Sequence, residues 1–126
     1  MACRFSELVV NSRDPEALAA FWAQVLDYRV LGVEEDGSVE IGPAEGFGGA
    51  APTLVFGPVS DPTPGRRRLH IDVSPTDRDQ DAELQRLLDL GATRADVGQT
   101  GDEGWHVLAD PEGNEFCLLR TRLDPL

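Results

Sequence analysis

Cysteine is scarce in this chain: Cys3 and Cys117 stand near opposite ends of the 126 residues. Two thiols so placed make no disulfide framework, and their spacing fits no zinc motif. A reducing cytoplasm is the expected compartment. Basic residues are also few, 11 against 23 acidic ones, for a net charge of −12. An acidic surface repels phosphate backbones, which excludes nucleic acid as an expected partner. It serves solubility first and favours cationic ligands second. No apolar run is long enough to cross a membrane, so no membrane partner is expected. "MACRF" leads into alternation, not into the apolar core of a signal peptide. Ser–His–Asp spacing and a P-loop are missing, and the glycines of "GFGG" follow no strand-to-helix transition, so a dinucleotide site is excluded. The length suits one domain, 1–126, with a real core.

What the chain does have is a repeat. "FSELVVNSRDPEALAAFWAQVLDYRVLGVE" and "RLHIDVSPTDRDQDAELQRLLDLGATRADV" behave alike. Leu8 and Val10 alternate with Glu7, Val9 and Asn11 in the first, and Leu69, Ile71 and Val73 alternate with His70, Asp72 and Ser74 in the second, the period of a half-buried strand. Asp14 followed by Pro15 starts a helix. Asp77, with Gln80 as its capping-box partner, is expected to start the second. Leu18, Phe21, Trp22, Val25 and Leu26 form one helical stripe, and Leu84, Leu87 and Leu88 the other. Gly91 suits the second helix end. Val10 and Val73 are 63 apart, and the same offset makes Glu7 the counterpart of His70.

Three short strand candidates follow each helix: "YRVLGVE", "SVEIG" and "PTLVFGPV", then "TRADVG", "WHVLAD" and "NEFCLL". Asp36-Gly37 turns the first set, and Pro111 with Gly113 the second. The expected units are residues 5–58 and 69–121, joined by 59–68. Two Gly-rich loops, "GPAEGFGGAAP" and "GQTGDEG", fall at corresponding places as exposed turns or rims over a cavity. Phe47 in the first either staples that loop down or covers a ligand.

"DPEALAAFWAQVLDYRV", "LHIDV" and "LADPEGNEFCLL", set in this repeat, resemble the vicinal oxygen chelate superfamily of glyoxalase I, bleomycin-resistance proteins and extradiol dioxygenases, and within it the glyoxalase-like proteins. The resemblance covers almost the whole chain. It implies an α+β fold of two tandem βαβββ modules forming an open, curled mixed sheet whose hollow binds the ligand, and a homodimer. Where such a fold holds a metal, one ligand comes from the first and the last strand of each half. Carried over, these positions fall on Glu7, on the apolar Leu54–Phe56 stretch, on His70, and on Cys117 where glutamate is usual.

The candidate metal ligands are thus Glu7 and His70, with Cys117 either a third ligand or a small buried hydrophobe. Glu7 and His70 are a candidate acid–base pair or a pair that simply satisfies itself. Asp72 adds a carboxylate on the strand face of His70. Trp105 or His106 faces the cleft, and Trp105 offers a stacking surface or covers core. Arg66, Arg67 and Arg68 form a carboxylate clamp or a solvated strand end, and Asn114 and Glu115 serve the turn. The expected pocket is Glu7, His70, Asp72, Cys117, Trp105 and Phe47, binding a small molecule with no cofactor. The alternatives are a lyase, isomerase or dioxygenase using Zn, Ni or Fe, and a partner-binding module with a vestigial cleft.

Overall fold

A computed structural model describes residues 2–62, 69–95 and 103–126. The elements run β1 (Glu7–Ser12), α1 (Pro15–Leu26), β2 (Arg29–Val33), β3 (Val39–Gly42), β4 (Thr53–Pro58), β5 (Ile71–Val73), α2 (Gln80–Leu90), β6 (Thr93–Arg94), β7 (His106–Ala109) and β8 (Glu115–Leu118). The expected doubled βαβββ order is there, in an α+β fold. The chain divides into two compact units, Met1–Thr63 and Pro64–Leu126. No helix among the described residues is long and apolar enough to cross a membrane.

The first unit is a four-stranded open sheet in the order β1-β4-β3-β2. β1 runs parallel to β4, because α1 carries the chain back across the sheet before the hairpins are laid down. Asp14 starts α1 by accepting from the Ala17 amide at 3.2 Å, with Pro15 in the first turn. Asp27 ends it in the left-handed region at φ 56°, one of the few non-glycine types that tolerate it. Leu18, Ala19, Phe21 and Trp22 are buried on α1, while Val25 and Leu26 of the expected stripe are only half-buried. Phe21 and Trp22 meet edge to face at 5.4 Å. Ile41, Leu54 and Phe56 supply the sheet side of this core.

The second unit repeats the order as β5-β8-β7-β6, again with the first and last strands parallel. Its core holds Leu84 and Leu87 of α2 with Leu108, Phe116 and Leu118. Three expectations fail here. The cap of α2 is Asp79, whose carboxylate accepts from the Ala82 amide at 2.8 Å, and not Asp77. Asp77 instead pairs with its neighbour Arg78 at 2.8 Å. Gln80 is no capping-box partner either: its amide reaches away from the helix to the carbonyls of Gly104 and Leu118. Leu69, expected on the buried side of the strand, lies before β5 begins and is 79% exposed. Gly91 ends α2 as expected, at φ 120°.

Candidate functional site

The turn "DPEGN" sets the register of the last hairpin. Asp110 is buried, and its carboxylate accepts from the amides of Glu112 and Asn114 and from the Asn114 side chain at 2.8–3.1 Å. Gly113 takes φ 83°, which closes the turn. Asn114 is thus structural, as expected. The strand that leaves this turn buries Phe116 and Leu118 and turns Glu115 and Cys117 to the other side, half-buried.

That other side carries the polar groups. Cys117 lies in register with Asp72 of β5 and with Val107 of β7. His70, two residues before Asp72, presents Nε2 3.0 Å from the Asp72 carboxylate, with both side chains about half exposed (54% and 48%). One donor atom each from His70, Asp72 and Cys117 lies within 4.8 Å of the others. Burial pushes the Cys117 thiol above its usual pKa; the charge of Asp72, a hydrogen bond to that carboxylate and the charge of Glu115 push it the same way. The neutral S–H donates to Asp72, so at neutral pH the thiol keeps its proton.

The first unit presents different chemistry at the corresponding places. Val9 and Val55 occupy the register positions that Asp72 and Cys117 hold in the second, in a row completed by Glu40. Val55 is therefore the first-half counterpart of Cys117, a hydrocarbon. Glu7 stands at the exposed start of β1, in register with Thr53. Phe47 is 59% exposed and does not staple its loop. Arg4 holds that loop instead, donating to the carbonyls of Gly48 and Gly49 at 2.9 and 2.8 Å. Trp105, 46% exposed, precedes β7 by one residue. His106 stands opposite Leu118 on the buried side, so strand alternation leaves Trp105 with Val107 and Cys117. Arg66, Arg67, Arg68 and most of the second Gly-rich loop lie outside the described residues.

Two groups escaped sequence reasoning. Glu40 accepts from the buried Thr53 hydroxyl at 2.8 Å and is half-buried on the face of Val55. The alternation Val39-Glu40-Ile41 carried that signal. Glu115, read as a turn residue, acts on Cys117 from the same strand face.

The fold recurs in solved structures. A glyoxalase/bleomycin resistance protein/dioxygenase family enzyme from Burkholderia phytofirmans aligns at TM-score 0.69 and 17% identity, over 92% of this chain and 97% of that one. The fosfomycin resistance protein FosX from Listeria monocytogenes, solved with Mn(II) and 1S,2S-dihydroxypropylphosphonic acid, aligns at 0.71 and 16%, over 94% and 90%. FosX from Mesorhizobium loti aligns at 0.67 and 19%, over 98% and 95%. No curated protein matches the chain. The model of the glyoxalase-like domain matches residues 7–119, and the chain belongs to that family.

Proposed function

We propose that this chain binds a small molecule, as a glyoxalase/bleomycin-resistance-type protein without the four-donor catalytic metal centre possible on this fold. One observation carries the reading. The register puts Val55 where a last-strand donor of the first half would stand, and a hydrocarbon ligates nothing. The matching position of the second half holds a sulfur, a soft donor, and not a carboxylate. Glu7, His70 and Cys117 are therefore a poor fit to a hard divalent ion such as Mn²⁺, which takes oxygen and imidazole donors.

The ligand class follows from the groups that remain. Asp72 and Glu115 are carboxylates on one sheet face, Glu40 is another on its counterpart, and the whole chain carries −12. A phosphonate such as the one bound by the Listeria FosX would meet like charge here. A neutral or cationic ligand with an aromatic part suits the carboxylates and Trp105 better. A cytoplasmic homodimer belongs to the same reading, and sedimentation checks the dimer. The alternative, a divalent-metal-dependent lyase, isomerase or dioxygenase, draws on the clustering of His70, Asp72 and Cys117.

The test is thermal denaturation in EDTA against a panel of aromatic amines and matched aromatic carboxylates. The amines raise Tm and the carboxylates do not, since a ligand that binds only the folded state stabilises it by mass action. Tight binding of Mn²⁺, abolished by Glu7→Gln as well as by His70→Ala, would overturn the reading in favour of the metalloenzyme. So would a panel that leaves Tm unmoved while turnover appears with Mn²⁺ added.

A further inference from the structure

We infer that His70, Asp72 and Cys117 form a three-donor site for a borderline-soft divalent ion, zinc by its chemistry, contained wholly in the second half of the chain. The inference goes beyond the small-molecule reading and does not depend on it. Three donors of three kinds converge: an imidazole nitrogen, a carboxylate oxygen and a sulfur, all within 4.8 Å. His70, just before β5, lies 3.0 Å from the carboxylate of Asp72 on that strand, and the parallel register sets Cys117 beside Asp72. A tetrahedral zinc ion holds such donors roughly 3.3–3.8 Å from one another, as its bonds of about 2.0–2.3 Å require.

The donor set selects the ion. A thiolate favours zinc over the hard ions that oxygen-rich sites prefer. On binding, the S–Zn bond replaces the S–H bond, and the proton leaves to solvent with no change of oxidation state. His70 and Asp72 are half exposed, so an ion reaches them without unfolding. Glu115 adds negative charge beside the sulfur. Three protein ligands leave a fourth position for water or for a donor atom of a bound molecule. This arrangement differs from a centre that takes donors from both halves: two of its ligands come from one short stretch, His70 just before β5 and Asp72 on it, and Glu7 takes no part. An exposed His–Asp pair serving stability alone contributes little and requires no cysteine in register with it.

The experiment titrates EDTA-stripped, reduced protein with Zn²⁺ by calorimetry and with Co²⁺ by absorbance, in a Cys3→Ser background. One ion binds per chain, and the cobalt form shows a thiolate charge-transfer band that Cys117→Ala removes. Asp72→Asn and His70→Ala each weaken zinc at least about tenfold, while Glu7→Gln stays within about twofold of the parent. Asp72→Asn is exposed and isosteric, so it decides the matter even if the cysteine variant unfolds. Failure to saturate with zinc overturns the inference, as does equal binding by Cys117→Ala, or a loss on Glu7→Gln as large as that on His70→Ala. The Tm response to organic ligands in EDTA is a separate readout, so either proposal can fail alone.

Discussion

In the first half, Leu8 and Val10 pair with Leu54 and Phe56; in the second, Ile71 and Val73 pair with Phe116 and Leu118. These positions keep the same apolar character because both halves bury this side of a four-stranded sheet. One residue over, the two halves part company. Val9 and Val55 of the first stand where Asp72 and Cys117 of the second do. Buried packing constrains one side of each strand, and the other side is left free to differ. Chemistry that distinguishes the halves should therefore be sought on the alternate residues.

The largest expected effects test whether the two cores are equivalent. Phe56→Ala and Phe116→Ala should each cost about 3–5 kcal/mol in denaturant unfolding, since both rings are fully buried. A cost below about 1 kcal/mol for either would mean that half has no packed core at that ring. Gly42→Ala comes next and belongs to the first half alone. A methyl there would lie 2.7 Å from Leu31 Cδ1 and 2.8 Å from Thr53 Cγ2. Overpacking of that kind costs about 1–3 kcal/mol, and an unchanged midpoint would show that Leu31 can move aside freely.

The helix starts give a smaller contrast. Asp14→Ala and Asp79→Ala should each lose about 1 kcal/mol, because each carboxylate satisfies an amide of the first turn. Asp77→Ala should leave stability nearly unchanged, for its partner is an adjacent exposed arginine. If Asp77→Ala proves the costlier of the two second-half substitutions, the cap is misassigned.

Much of this was legible in the sequence. The repeat, the succession of strands and helices along each half and the polar side of His70 and Asp72 all follow from alternation and the offset of 63. The second cap was not, because "SPTDRDQDAEL" offers acidic residues at 77, 79 and 81 and only the backbone path chooses among them. Gln80 misled for a related reason: its partners, Gly104 and Leu118, are distant in sequence. Nothing local announces such contacts. The Thr53–Glu40 hydrogen bond is of the same kind, a cross-strand meeting that needs the register of β3 on β4. Leu69 was lost to a different cause, since alternation cannot tell where a strand begins.

The smallest effect expected concerns the thiol. The folded chain holds the Cys117 proton above the ordinary pKa of 9.0, first through burial and then through Asp72 and Glu115. An unfolded chain gives that proton up near 9.0. Above that pH the folded state therefore binds more protons than the unfolded one, and stability falls as pH rises toward the raised value. Below 9.0 both states are protonated and the contribution is flat. In a Cys3→Ser background, the rate of alkylation against pH reports this ionisation directly, because only the thiolate reacts. Asp72→Asn removes one of the charges and should draw the midpoint down, though not to 9.0, since burial remains the larger cause. A parent midpoint at or below 9.0 would mean the thiol is neither desolvated nor bonded to Asp72. A midpoint that Asp72→Asn leaves unmoved would assign the whole shift to burial and remove the electrostatic link between β5 and β8, the feature that most separates the second half from the first.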